Sequence, residues 1–88
     1  MAFGEKEWIV QYENHTIRVV NTWFAGAKLY IDGEMRDFCN SLFEVTGSSP
    51  VLSAKLSDNH IIEVYIIAIW STKAKICLNG KPIGGDVF

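Results

Sequence analysis

Two histidines carry the chemistry most worth weighing, because each follows an asparagine at the start of a β-like run: Asn14-His15-Thr16-Ile17 and Asn59-His60-Ile61-Ile62. Imidazole titrates near neutrality and ligates metals, so two such groups brought together could pass a proton or share an ion. The local alternative is that each caps a tight turn or pairs with the acid just before it, Glu13 or Asp58. A metal site wants three or four ligands at fixed distances. Only the two histidines recur, since Cys77 aligns with Tyr30, so no metal or other cofactor is expected. Trp23 and Trp70 recur with them. A tryptophan near a strand end can anchor a core through its indole N–H, and an exposed one can stack on a sugar ring, a base or a partner side chain. Trp23, Trp70, His15 and His60 are therefore the candidate binding residues. Trp8 has no counterpart and is expected to be the more exposed indole.

Other reactive groups lack a constellation. Cys39 and Cys77 form no C-x-x-C and are expected to be reduced, part-buried, small apolar side chains. No G-x-S-x-G is present, and Gly80-Lys81-Pro82-Ile83-Gly84-Gly85 does not sit between a strand and a helix as a phosphate loop would. An enzyme is not expected. Asp32, Glu34 and Asp37 gather by one hairpin; Asp32 fits the turn, and the other two read as solvated edge charges. Lys28 and Lys75 read as solvated heads on apolar stems. Asn14-His15-Thr16 matches a glycosylation acceptor, a coincidence in a chain whose first residues do not read as a secretory leader.

The elements that must position these groups are strands. No stretch sustains a 3.6-residue period. Runs rich in β-branched and aromatic residues alternate instead with Asn, Asp and Gly. The expected strands are Glu7–Tyr12, His15–Phe24, Lys28–Ile31, Glu34–Phe38, Val51–Leu56, His60–Trp70, Lys75–Leu78 and Lys81–Ile83. Asp32-Gly33 and Asn79-Gly80 are strong hairpin signals, because both central residues of a type I′ turn need positive φ. Glu13-Asn14 and Asp58-Asn59 read as further tight turns. The longest connection runs from Asn40 to Pro50, where Leu42–Val45 reads as a short strand or a helical turn. In the second strand Ile17, Val19 and Trp23 share one side, and Thr16, Arg18 and Thr22 the other. The sixth strand is apolar on both: Ile62, Val64, Ile66 and Ala68 on one face, Ile61, Tyr65, Ile67 and Ile69 on the other. Such a strand is central and covered twice, or it meets another subunit.

The same order of features occurs twice. Asn14/Asn59, His15/His60, Ile17/Ile62, Val19/Val64, Trp23/Trp70, Ala27/Ala74, Lys28/Lys75 and Gly33/Gly80 are identical over about 21 aligned residues with one two-residue insertion. Average residue usage gives roughly one or two such matches by chance. Hairpin physics explains the Ile, Val and Gly matches, but not the His, Trp and Lys ones. The repeat spans about 7–40 and 50–86. It predicts one all-β domain over residues 1–88: an eight-stranded antiparallel sandwich or flattened barrel made from two pseudo-symmetric four-stranded meanders.

The line Tyr12-x-x-His15-x-Ile17-x-Val19-x-Asn21-x-Trp23, followed by Leu29-Tyr30-Ile31-Asp32-Gly33-Glu34, resembles a family of small uncharacterised bacterial β-domain proteins of unassigned function. The resemblance implies a compact β-domain and supplies no activity. More loosely, the repeated strand followed by Asp-Gly is similar in architecture to the β-domains of Fas apoptotic inhibitory molecule.

Charge and composition narrow the partners. The 88 residues have a formal net charge of -2, with eight scattered basic residues, which disfavours nucleic acid and anionic membrane surfaces. The apolar stretch Ile61–Trp70 is half the ~20 residues of a membrane helix, so the cytoplasm is the expected compartment. The hydrophobic share of 49% against 20% charged leaves much apolar surface to hide, in part by self-association. The expectation is a non-enzymatic protein-interaction module, a homodimer through a strand edge or the apolar face around the strand His60–Trp70. The alternative is a small-ligand, carbohydrate-like binder with Trp23, Trp70, His15 and His60 in one cleft.

Overall fold

Alternating apolar residues, cut by turn formers, give eight strands and no helix among the described residues, which are 5–22, 26–39, 49–56, 59–68 and 72–86 of a computed structural model. They are β1 (Glu5–Tyr12), β2 (His15–Thr22), β3 (Gly26–Ile31), β4 (Glu34–Cys39), β5 (Leu52–Lys55), β6 (Ile61–Ala68), β7 (Thr72–Leu78) and β8 (Lys81–Gly85). Each expected run overlaps one strand. The largest change is at β7, which begins at Thr72 rather than Lys75. Leu42–Val45 lies outside the described residues.

The strands form two four-stranded antiparallel meanders, ordered β1-β2-β3-β4 and β5-β6-β7-β8. Their hairpins follow one chemistry. Asp32 and Gly33 have φ of 54° and 83°, and Asn79 and Gly80 have 50° and 86°. These are the two positive values of a type I′ turn, whose twist matches that of the flanking strands. In each hairpin the turn side chain reaches back to the neighbouring strand. Thr16 N donates to Asp32 Oδ1 at 2.8 Å, and Ile61 N donates to Asn79 Oδ1 at 2.9 Å. The register shifts once in each meander, between Leu29 and Tyr30 and between Ile76 and Cys77, as a β-bulge does.

The inner faces supply one core: Ile17, Val19, Leu29 and Ile31 from the first sheet, Leu52, Ile62, Val64, Ile66 and Ile76 from the second. Burying one such side chain stabilises the fold by about 1.5–3 kcal/mol. Both seams between the sheets are stitched. Along β1, Lys6 Nζ donates to Thr72 O at the start of β7 at 2.7 Å, and Trp8 Nε1 donates to Asp86 Oδ2, just after β8, at 3.0 Å. Gly84 lies so close to the Val10 side chain that a Cβ there would collide with it. At the β4/β5 seam Arg36 Nη2 donates to Lys55 O at 2.8 Å and Ser53 N donates to Asp37 Oδ2 at 2.9 Å. Side chains rather than ladder bonds close these edges, giving a two-sheet sandwich. Among the described residues no helix is long and apolar enough to cross a membrane.

Candidate functional site

The β1–β2 turn brings the two histidines to one end of the sandwich. Tyr12 is the register partner of His15, and its ring meets that of His60 edge-on, with centroids 5.9 Å apart and planes at 88°. The two imidazoles then differ in their neighbours. His15 Nδ1 lies 2.8 Å from Asp32 Oδ2. An ionised carboxylate only accepts, so Nδ1 carries the proton, and in the neutral imidazole Nε2 is then the acceptor. The Thr16 amide, and then His15, hold the Asp32 carboxyl below the usual carboxylate range. At the corresponding position the second hairpin has Asn79, whose Oδ1 is engaged by Ile61 N.

His15 lines a cleft of about 260 Å³ with Ile31, Asp32, Glu34, Arg36 and Leu56. Two apolar side chains and four polar or charged ones make up its wall. His60 is not among the lining residues. Trp23 and Trp70 lie outside the described residues. Among the described residues no group of three or more His, Cys, Asp and Glu is placed to hold a metal ion. A held imidazole tautomer beside a carboxylate is an acceptor for a hydrogen-bonding ligand. Catalysis would need a nucleophile or oxyanion donors beside it as well.

Trp8, expected to be the more exposed indole, is half-buried. It packs against the core with Val10 and Tyr12, and its indole N–H is taken by Asp86. Glu34 is an exposed edge charge as expected, 3.8 Å from the Arg36 Nε, whereas Asp37 is half-buried and accepts from Phe38 N and Ser53 N. Cys39 and Cys77 are free thiols, half-buried and buried respectively, and burial pushes the Cys77 thiol up from its ordinary pKa.

The second candidate surface was not singled out by sequence reasoning. β6 pairs with β5 on one side and β7 on the other, so neither of its edges is open to another chain. Its inner residues Ile62, Val64 and Ile66 are fully buried in the core. On its outer face Ile61 is 45% exposed, while Tyr65 is half-buried with the Lys75 ammonium 5.0 Å from its ring. The larger apolar exposure is on the other sheet, at Ile9 (56%), Met35 (51%) and Phe38 (54%). Register lines these up. Ile9 pairs with Arg18, Arg18 with Tyr30 and Tyr30 with Met35, one transverse row across β1 to β4. The next row runs Glu7, Val20, Lys28, Phe38. Within the rows the Arg18 Nε donates to Glu7 Oε2 at 2.5 Å, and its guanidinium sits 5.0 Å from the Tyr30 ring. The available signal was the alternation in β1: Trp8, Val10 and Tyr12 face inward, so Glu7, Ile9 and Gln11 face outward.

Comparison with known proteins finds no matching family model, no matching curated protein and no matching solved structure.

Proposed function

We propose that this domain is a non-enzymatic protein-interaction module that docks through the outer face of the β1–β4 sheet. The observation that carries the reading is the pair of transverse rows, in which Ile9, Met35 and Phe38 are each more than half exposed on one side of one sheet. Single exposed apolar residues are ordinary, but a contiguous set rimmed by charge is what interaction sites present. Arg18 and Tyr30 in the middle of the patch are of the types enriched at interface centres. A cytoplasmic setting suits such a module, whose two cysteines are both free thiols.

The β1–β4 face is preferred to the outer face of β6 because, among the described residues, the latter presents Ile61 as its only large exposed apolar side chain. It is also preferred to a small, carbohydrate-like ligand in the His15 cleft. That cleft, at about 260 Å³, falls below the ~300–1,000 Å³ usual for ligand sites.

The test is site-specific photo-crosslinking in cells, with a benzophenone side chain replacing Phe38 in one variant and Lys73 on β7 in another. A discrete adduct from position 38 and none from position 73 is expected. Equal smears from both positions, or no adduct from position 38, would sink the reading.

A further inference from the structure

Resting on that reading, we infer that the partner of the β1–β4 face is a second copy of the same chain, related by a two-fold axis that runs parallel to the strands between β2 and β3. The face is self-complementary about that axis. Rotation carries the β1 side of each row onto the β4 side of its mate, so Ile9 meets the mate's Met35 across the gap. These two are among the most exposed large apolar side chains of the described residues, and they occupy opposite ends of one row. In the middle of the row Arg18 meets the mate's Tyr30, repeating between copies the cation–π contact that already exists within one.

Charge favours the same axis. In the second row the acid is on β1 (Glu7) and the base on β3 (Lys28). Lys28 makes no ion pair with a described residue. The rotation sets the mate's Lys28 one strand spacing, about 4.8 Å, to the side of Glu7, within reach of a long side chain across stacked sheets. Two such pairs form, one on each side of the axis.

The size of the face sets the strength. Four strands of up to eight residues cover about 19 by 27 Å, roughly 500 Å² of projected area. A standard interface takes about 800 Å² from each partner. The dimer is therefore weak, reversible and concentration-dependent rather than obligate.

The charge pattern gives a test that a merely sticky surface would not pass. Glu7→Lys places a second ammonium against the mate's Lys28, and Lys28→Glu places two glutamates together. Either variant alone is self-repelling at both pairs. Mixed one to one, they form a heterodimer in which both pairs are attractive. Sedimentation velocity across a concentration series should show the wild type shifting from monomer to dimer. Each single variant should need about tenfold or more higher concentration, and the equimolar mixture should regain dimer at the wild-type concentration. High salt should weaken the wild type and the mixture alike. A wild type that stays monomeric into the millimolar range overturns the proposal, and so does a mixture that associates no better than its components. The crosslinking experiment separates the two failures: a position-38 adduct at a mass other than twice the chain's keeps the docking face and rejects the self-partner, whereas no adduct rejects both.

Discussion

The sheet β1–β4 and the sheet β5–β8 follow one plan and present different surfaces. Strand order, the Asp32-Gly33 and Asn79-Gly80 turns, the amide bonds to those turn side chains, and the bulges after Leu29 and Ile76 all coincide. The inner residues Ile17 and Ile62, Val19 and Val64, and Ala27 and Ala74 coincide too, every one fully buried. The differences lie where the backbone does not constrain the side chain. Outward, Arg18 stands where the second sheet has Glu63, and Tyr30 where it has Cys77. Inward on β2 and β3, Leu29/Ile76 and Ile31/Leu78 only exchange isomeric apolar side chains, and one position changes chemistry. Asn21 lies opposite Ala27 as Ile66 lies opposite Ala74, so a buried amide replaces an isoleucine. Positions that set twist and core volume are held to one answer, while positions facing outward are open to a binding role.

The largest test of this equivalence is in the core. Ile17→Ala and Ile62→Ala each remove a fully buried side chain from opposite sheets of one cluster. Each should cost about 2–5 kcal/mol, a large fraction of the stability of a domain this small. Equilibrium urea unfolding should give one transition for both variants by tryptophan fluorescence and by circular dichroism. Two separated transitions in either variant would mean that the sheets fold as independent units and that the shared core is not their common support.

The sequence made the frame legible because its signals are local. Asp-Gly and Asn-Gly dictate positive φ, period-two alternation dictates a strand, and the repeat sets four strands against four. The surface was harder to read. β6 is apolar on both faces over consecutive residues, the pattern of a strand covered twice or set at an interface. Yet both of its edges are occupied, and Lys75 lies by Tyr65 on its outer face. Ile9, Met35 and Phe38 stand on two different strands, Met35 between Glu34 and Arg36 and Ile9 between Trp8 and Val10, and only cross-strand register collects them. Trp8 illustrates the same limit. Its exposure depends on Asp86, 78 residues away, which no local pattern announces. His15 and Asp32 were both visible as residues, but their pairing follows from the β2–β3 register rather than from Glu13, the acid next in the chain.

The buried amide gives the next test. Asn21 is 2% exposed, and its Nδ2 donates to Thr72 Oγ1 over a long 3.4 Å. Its Oδ1 has no hydrogen-bond partner among the described residues. A buried polar atom without a partner costs about 1–3 kcal/mol, and removing both members of a weak pair together avoids stranding the other. Asn21→Leu with Thr72→Val should therefore stabilise the domain by about 1–2 kcal/mol, read as a higher urea midpoint at an unchanged slope. The first sheet would then match the second at this position. A lower midpoint would show that the amide is satisfied in solution, by water or otherwise, and that the difference between the sheets is structural rather than tolerated.

The smallest effect belongs to the hairpins. Asp32 and Asn79 occupy the same turn position and accept the same kind of amide bond, but only Asp32 titrates. Its folded pKa is depressed, first by the Thr16 amide and then by His15. A carboxylate with a lowered pKa contributes stability that is complete above its unfolded value, near 3.9, and is lost as pH falls through the folded value. Asp32→Asn should abolish that acid-side loss while leaving the turn intact, since the amide oxygen still accepts from Thr16. The converse change, Asn79→Asp, should add such a dependence to the second hairpin, from the Ile61 amide. Urea midpoints from pH 6 down to pH 2 provide the measurement. The expected order of steepness is Asn79→Asp, then wild type, then Asp32→Asn, with other carboxylates supplying a common background. If Asp32→Asn falls as steeply as the wild type, the bond to Thr16 is too solvated to distinguish the charged acceptor from the neutral one, and the two hairpins are energetically as well as geometrically alike.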